Sequence, residues 1–269
     1  MHFLDKLDKD IQKILIAQLR NLWTHTSTAI EGNTLTLGET AFVIEDGLTV
    51  SGKSLKDHQE VVGHARAIDL VYDLVRGETE ISEDDLFNLH KAVQTEVIFD
   101  VYKPVGKWKV EPNWTSMIDG DKQVMFEYAR PKDVPALMKA WLELLNSHTK
   151  QAFSEEKSLL AYAELHVSFV RIHPFYDGNG RMARLVSNIP VLKSGFPPVI
   201  IPKQRRREYI MALTEYHLSA GHPKPGQPLL PEREKLEKFR TFCAESWKES
   251  LELVCAAQEK KSERHCNGD

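Results

Sequence analysis

One segment, residues 154–170, is apolar on nearly every side of a helix and constrains this chain more than any other feature. Such a helix is stable in water only when other elements cover it all round, so it predicts the centre of a helical domain. Pro174 disfavours helical geometry at the residue before it, which ends this helix. Gly178 and Gly180 follow, and a second helix is predicted to begin at about Asn179.

This helix–turn–helix segment carries the residue types of a polyphosphate site. Backbone N–H groups of a glycine-rich turn can point at one anion, and here they precede the positive end of the next helix. Arg181 and Arg184 are three residues apart, so we expect both guanidinium groups on one helix face beside the turn. Asp177 is a single carboxylate, which suits Mg²⁺ shared with substrate phosphates. His173 at the helix end is a candidate general base.

The same segment, residues 173–184, reads His-Pro-Phe-Tyr-Asp-Gly-Asn-Gly-Arg-Met-Ala-Arg and resembles the Fic-family motif at every fixed position. The resemblance implies a mainly α-helical Fic fold with a β-hairpin flap beside the active site. It implies a protein adenylyltransferase, which transfers AMP from ATP to a Ser, Thr or Tyr hydroxyl of a target protein. In that reaction His173 takes the hydroxyl proton and Asp177 holds Mg²⁺.

The resemblance also assigns the nucleotide contacts. The backbone amides of Gly178, Asn179 and Gly180 stabilise the transferred phosphate, and Arg181 and Arg184 bind the outer phosphates. In the Doc branch of the family a lysine replaces the second glycine and the enzyme is a kinase. Gly180 therefore favours nucleotidyl transfer.

A second element of the resemblance lies far upstream. Ser27, Glu31 and Gly32 match the family's inhibitory pattern, Ser/Thr-x-x-x-Glu-Gly/Asn, on a predicted helix at about 14–32. The resemblance implies that Glu31 pairs with Arg184, withholds it from the γ-phosphate and so inhibits the enzyme. By analogy with the eukaryotic branch, Glu31 also orients water for removal of AMP. A solvated carboxylate at a helix end is the alternative interpretation of Glu31.

The rest of the chain is helical in pattern apart from one predicted hairpin. Residues 106–128 are rich in β-formers, and Asp119-Gly120 is a typical hairpin-turn pair. A lone hairpin is marginally stable, so it has to pack on the helices or bind a partner. It resembles the family's flap, which aligns the target segment by strand pairing. Capping signals predict further helix starts after Thr36, Ser54 and Ser82.

Composition sets the remaining expectations. The chain has 269 residues with 35 basic and 39 acidic side chains, a net charge of −4, which argues against a dedicated nucleic-acid binder. We expect an N-terminal helical region at 1–80, the catalytic core at 81–247, and a helix end with a polar tail at 248–269. The absence of a membrane-span pattern and of a signal peptide, with three C-terminal cysteines, predicts a cytoplasmic or nuclear protein.

The sequence leaves alternatives open. A transferase of this kind could move UMP or phosphocholine instead of AMP, and a nucleotide-binding regulatory module would need no turnover. The resemblance adds an Hsp70-type chaperone as one target. The charge balance predicts no nucleic-acid partner and the lack of a long apolar run predicts no membrane partner, and a homodimer is one candidate assembly. Tyr209 is a candidate nucleotide contact, whereas His217 stands where the family often has an Asn-x-Gly-Asp sequence near the adenosine.

Overall fold

The computed structural model describes residues 2–95, 100–119 and 122–266, and these ranges are mainly α-helical, as predicted. They hold ten α-helices and one antiparallel pair of strands, joined by loops and three short 3-10 turns. The helices are α1 Lys9–Ile30, α2 Leu37–Asp46, α3 Leu55–Arg76, α4 Glu83–Val93, α5 Val134–Thr149, α6 Glu155–Ile172, α7 Asn179–Val186, α8 Ile189–Lys193, α9 Arg206–Ala220 and α10 Glu237–Cys266.

Helix α6 is the central element. Fourteen of its 18 residues are buried, and it packs against α5, α7, α8 and α10. Burial of a charged group requires charge partners, and Glu164 on this helix has two, His148 and Arg233. The helix ends at Ile172, two residues before Pro174, as the proline predicts.

The predicted caps are present. The Thr36 hydroxyl accepts the Glu39 N–H and the Glu39 carboxylate accepts the Thr36 N–H, which is a complete capping box at the start of α2. Ser82 and Asp85 form the same arrangement at α4, and Ser54 caps α3 through its hydroxyl. Each cap satisfies N–H groups that the first helical turn leaves without a partner.

Helix α1 is shifted from its predicted range of about 14–32: it runs from Lys9 to Ile30. It begins earlier because Ile11, like Leu15 and Leu19, is buried in the main core. It ends earlier because Gly32 adopts φ 103°, outside helical geometry.

The hairpin consists of β1 Trp114–Asp119 and β2 Lys122–Glu127, with Thr115 opposite Phe126. Gly120 of the predicted turn lies outside the described residues. The inner face of the hairpin packs on α9, as a marginally stable hairpin requires. The residues of this contact are Met117, Val124, Phe126, Tyr128 and Leu218.

The main hydrophobic core joins residues from both ends of the described chain, from Phe3 to Val254. The three predicted regions therefore contribute to one packed core, and their boundaries at 80 and 247 stay predictions. Among the described residues, none of the helices combines the length and apolar character that crossing a bilayer demands.

Candidate functional site

The turn between α6 and α7 is stabilised by contacts within its own sequence. Asn179 Oδ1 accepts the Phe175 N–H at 2.9 Å, and Asn179 Nδ2 donates to the Phe175 carbonyl at 2.8 Å. Asn179 is 1% exposed, so both bonds lie in the interior. Gly178 has φ 77°, a conformation that is costly for a residue with a Cβ. The turn is therefore held in one shape at the N-terminus of α7.

His173 is the C-cap of α6 and has a left-handed backbone conformation, with φ 53°. Among the described residues it is the only non-glycine residue with a positive φ. Its Nδ1 lies 3.3 Å from the Val170 carbonyl. Because a carbonyl only accepts, Nδ1 carries the proton and Nε2 has a free lone pair. Burial, with a smaller contribution from the nearby Lys109 ammonium, lowers the pKa of His173 to about 3. The imidazole is therefore a neutral base.

Arg184 is buried and bonded to the end of α1. Its Nε donates to Ser27 Oγ at 3.0 Å, and its Nη2 donates to the Ser27 carbonyl at 2.9 Å and to Glu31 Oε1 at 2.7 Å. Burial alone would lower the pKa of Arg184, but the charge of Glu31 and the Tyr209 hydroxyl raise it overall. The structure thus brings together two groups 153 residues apart that the resemblance pairs.

The way α1 ends makes this contact available. The Glu31 N–H bonds to Thr28 O at 3.0 Å instead of continuing the helical ladder, which leaves the Ser27 carbonyl free for Arg184. A second arginine, Arg206 at the start of α9, donates to the Ile30 carbonyl at 2.7 Å. Cations are favoured at the negative end of a helix dipole. Arg206 is not among the predicted site residues, because its partner is a backbone carbonyl 176 residues away, which no local pattern indicates.

Arg181 contacts a different helix, contrary to the expectation that both arginines flank the turn together. Its Nη1 donates to the Val93 carbonyl at 3.3 Å, and its Nη2 donates to Gln94 Oε1 at 3.0 Å. Residues three apart diverge by about 60° around a helix axis, and each long side chain reaches the acceptors on its own side. Arg181 therefore contacts the end of α4, whereas Arg184 contacts α1.

Asp177 lies on the α4 side of the turn. Its Oδ2 accepts from Gln94 Nε2 at 3.1 Å and from Arg181 Nη2 at 3.5 Å. Burial would raise the pKa of Asp177, but Arg181, the Gly178 backbone and Gln94 lower it overall, so the carboxylate is ionised. Within the described ranges no three His, Cys, Asp or Glu side chains form a metal-binding group. A cation at Asp177 would take its other ligands from substrate and water, as Mg²⁺ commonly does.

His90 on α4 packs against the turn and is hydrogen-bonded to it. Its ring stacks on Phe175 with centroids 3.8 Å apart and planes 4° apart. Its Nε2 donates to the Asp177 carbonyl at 3.0 Å, and its Nδ1 accepts the Gly106 N–H at 2.8 Å. Burial lowers the pKa of His90 to about 4. The imidazole is therefore neutral, and both of its ring nitrogens are hydrogen-bonded.

A cavity of about 210 Å³ opens on the other side of the turn. Tyr209 lines it, but its hydroxyl is already bonded to His166 Nε2 at 2.9 Å and to Arg184 Nη1 at 3.4 Å. His217 also lines it, and neither of its ring nitrogens has a hydrogen-bond partner among the residues that the structure describes. Other lining residues are Glu31, Thr115, Ser116, Met117, Tyr128, Val170, His173, Gly180 and Leu213.

Gly180 allows Glu31 to occupy this cavity. A Cβ built on Gly180 would lie 2.7 Å from Glu31 Oε1 and 3.1 Å from Arg184 Nη1. The absence of a side chain at this position therefore permits the close approach of the carboxylate. Five of the predicted site residues line this cavity: His173, Glu31, Gly180, Arg184 and Tyr209. Two others, Asp177 and Arg181, lie outside it and contact the end of α4.

Comparison with known proteins shows what this chain is similar to. Residues 80–190 match the Fic/DOC family. The chain is 35% identical over 205 residues to a protein adenylyltransferase, fic-1, of Caenorhabditis briggsae, covering 75% of this chain and 38% of that protein. It is 35% identical over 184 residues to the protein adenylyltransferase Fic of Drosophila willistoni, covering 68% and 34%. The chain thus spans less than two fifths of these relatives.

Solved structures agree on the fold. A Fic-domain signalling protein of Bacteroides thetaiotaomicron superposes with a TM-score of 0.77 at 26% identity, over 94% of each chain. A fragment of Fic-1 from Caenorhabditis elegans superposes with a TM-score of 0.72 at 28% identity, over 96% of this chain and 69% of that one. Both matches extend well beyond residues 80–190, so the shared fold includes the N-terminal helices.

Proposed function

Because the chain contains a domain of the Fic/DOC family, we propose that it is a protein adenylyltransferase that moves AMP from ATP to a side-chain hydroxyl of a target protein. The observation that carries the proposal is the cavity in which a neutral imidazole, His173, faces the same space as Gly180 and Arg184. Binding alone has no use for an unprotonated base beside an anion site. The relatives named protein adenylyltransferase support the same reaction.

In this proposal His173 Nε2 accepts the proton of the target hydroxyl as its oxygen attacks the α-phosphorus of ATP. The bond from that phosphorus to the bridging oxygen breaks, and pyrophosphate leaves. Asn179 and Gly180 lie in the first turn of α7, where N–H groups lack helical acceptors and can stabilise the developing negative charge. Arg184, released from Glu31, binds the outer phosphates.

We assign the metal contact to Asp177, because it is ionised and lies beside the turn. Bound Mg²⁺ would offset the charge of the phosphates. Arg181 and Gln94 hold the Asp177 carboxylate in place from the α4 side. Arg181 is 6% exposed. In this proposal it stays in its buried position, and its positive charge acts on the phosphates from there, beside Asp177.

Glu31 inhibits the reaction in this proposal, because it occupies Arg184. Holding about 1% of molecules in the active state requires about 2.7 kcal/mol. A buried ion pair that loses one partner costs about 3–5 kcal/mol, but only the Arg184 side chain is buried, at 2% exposed, whereas the Glu31 side chain is 39% exposed. The pair is therefore worth less than that range, and it holds the enzyme inactive together with the bonds from Arg184 to Ser27.

The test is incubation with labelled ATP. The Glu31→Gly variant should label itself or a lysate protein about 100-fold more strongly than the unmodified chain, by the same arithmetic. The double variant Glu31→Gly with His173→Ala should not label, although it still binds ATP. Equal labelling by both variants contradicts the base assignment. Full biological activity of the His173→Ala chain would instead indicate a regulatory module.

The transferred group and the target are read from the same experiment. Mass spectrometry of the adduct distinguishes AMP from UMP and phosphocholine, since the added masses differ. Identification of the labelled lysate proteins tests an Hsp70-type chaperone as a target. Analytical ultracentrifugation tests the homodimer.

A second activity, removal of AMP, is supported by the placement of Glu31. Its carboxylate lines the same cavity as His173, so it can orient a water molecule toward the phosphorus of the AMP–protein bond. Attack by water breaks the bond to the side-chain oxygen, which takes up a proton, and AMP is released. The unmodified chain should hydrolyse an AMP-labelled substrate, whereas Glu31→Gly should not.

A further inference from the structure

The catalytic base is covered by an aromatic ring from the hairpin. Tyr128 follows β2 directly, and its ring stacks on His173 with centroids 3.8 Å apart and planes 9° apart. Tyr128 is 9% exposed. The contact joins two elements 45 residues apart in sequence, so no local constraint produces it.

The other contact of the imidazole is weak. Its Nδ1 has one partner, the Val170 carbonyl, at 3.3 Å, near the long limit of a useful hydrogen bond. One long bond leaves the ring free to turn about its side-chain torsion, a broad torsion in histidine. The face of Tyr128 supplies the missing constraint, because a stacked ring fixes a plane.

We propose that Tyr128 is a positioning residue for His173: its ring fixes the plane of the imidazole and aims Nε2 at the hydroxyl of a target segment docked on the hairpin. The inference rests on the proposed base role of His173. Because β2 leads directly into Tyr128, the element that receives the target and the ring that orients the base move together.

The residues that flank the two strands of the hairpin are bonded to the turn after His173, and these bonds hold the Tyr128 ring in place. The Tyr128 N–H donates to the Asn113 carbonyl at 3.2 Å, and Asn113 Nδ2 donates to the Phe175 carbonyl at 3.1 Å. Lys109 Nζ donates to Asn113 Oδ1 at 2.5 Å, and the Lys109 N–H donates to the Pro174 carbonyl at 2.8 Å. Tyr128 is thereby tied to the two residues that follow His173.

The ring also keeps water from one face of the imidazole. Burial is the main reason that the pKa of His173 is lowered to about 3. Removal of the Tyr128 ring exposes the imidazole to water, so the pKa of His173 should rise toward the ordinary 6.5. Lys109 opposes this rise, because its positive charge disfavours a protonated His173. Burial lowers the pKa of Lys109 itself to about 7. The charged or titratable groups around the imidazole are Lys109, Tyr128, Asp177 and His217, with Glu31 and Arg184 across the cavity.

The test compares three variants in the Glu31→Gly background. Tyr128→Phe keeps the ring and should retain kcat within about twofold, while Tyr128→Leu should lower kcat about tenfold or more, with the KM for ATP unchanged. Phe126→Leu is the matched control: it removes a buried ring of the same hairpin that meets the Tyr128 ring edge-on at 5.8 Å and stacks on His217 and His222, but does not stack on His173. It should keep kcat, and thermal melts should show similar losses of stability for both leucine variants.

A readout independent of turnover is NMR titration of the His173 ring. Its pKa should rise in Tyr128→Leu and stay low in Tyr128→Phe and Phe126→Leu. Unchanged kcat and pKa in Tyr128→Leu would overturn the inference, as would equal losses in the Phe126 control. If His173→Ala also labels targets, the proposed function fails, whereas an inactive His173→Ala with fully active Tyr128→Leu removes this inference alone.

Discussion

The two sides of α7 use the same residue type for opposite purposes. Arg181 contacts the end of α4, where its partners are a backbone carbonyl, the Gln94 amide and the Asp177 carboxylate of its own turn. Arg184 contacts the end of α1, where Glu31 is 39% exposed and belongs to a segment 153 residues away. On the α4 side Arg181 is held by the buried Val93 carbonyl, although Asp177 is 61% exposed, while on the α1 side Arg184 is held by the side chain of Glu31, which is 39% exposed.

Under the proposed function, this difference separates residues that hold the conformation of the turn from residues that control activity. On the α4 side, His90 adds a stacked ring and two hydrogen bonds to the turn, so loss of these contacts should unfold the site. On the α1 side, loss of Glu31 frees an arginine whose fold contacts remain. We expect substitutions on the α4 side to change stability, and those on the α1 side to change activity.

Acid should produce the largest effect, by breaking the α4 side. The pKa of His90 is about 4 when folded, through burial, and 6.5 when unfolded. Only the unfolded chain takes up this proton between those values, so stability is complete above pH 6.5 and falls by about 3 kcal/mol toward pH 4. Buried His217, with a pKa of about 3, adds a loss of the same sign.

Urea unfolding at a series of pH values measures this loss. In the variant His90→Gln the dependence between pH 6.5 and 4 should be flatter by the contribution of one proton. An identical slope in both proteins would show that His90 is already charged in the fold.

Substitution of the same histidine should have the next largest effect. His90→Ala removes the ring from Phe175 and leaves the Gly106 N–H without its acceptor, so we expect a loss of about 3 kcal/mol in the free energy of unfolding. The control Asn88→Ala changes an exposed residue of the same helix and should cost less than about 0.5 kcal/mol. Similar costs for the two variants would contradict a supporting role for His90.

On the α1 side, Ser27→Ala should raise activity by about fivefold, since it removes one charge-assisted bond worth about 1 kcal/mol from the inhibited state. ATP-dependent labelling measures it, and the melting temperature should change little. Ser27→Thr keeps the hydroxyl and should stay inhibited. A fall in labelling by Ser27→Ala would show that the bond to Arg184 supports the active state instead.

The smallest effect is expected from Arg206→Ala, which removes the bond to the Ile30 carbonyl. This arginine is exposed, so its contact should contribute about 0.5 kcal/mol and its loss should raise labelling about twofold. Arg207→Ala, at an exposed neighbouring position, is the control and should leave labelling unchanged. If both variants behave alike, Arg206 does not help to hold α1.

Much of the turn could be predicted from local sequence. The stop before Pro174, the glycine at position 178 and the start of α7 at Asn179 depend on four residues or fewer, where chain geometry alone fixes which groups meet. The same reasoning was wrong about Arg181 and Arg184, because helical spacing does not say which acceptors lie on each side. The pair of Glu31 with Arg184 was reached only through the family resemblance.

By itself, then, the sequence determined the helical class, the hairpin and the shape of the turn, since backbone conformation and short-range hydrogen bonds follow from neighbouring residues. Tertiary structure alone decided that Tyr128 covers His173, that Gln94 holds Asp177 and that Arg206 reaches the end of α1. These contacts join residues 45 to 176 positions apart. They depend on how the buried faces of all the helices pack around α6, which no local pattern encodes.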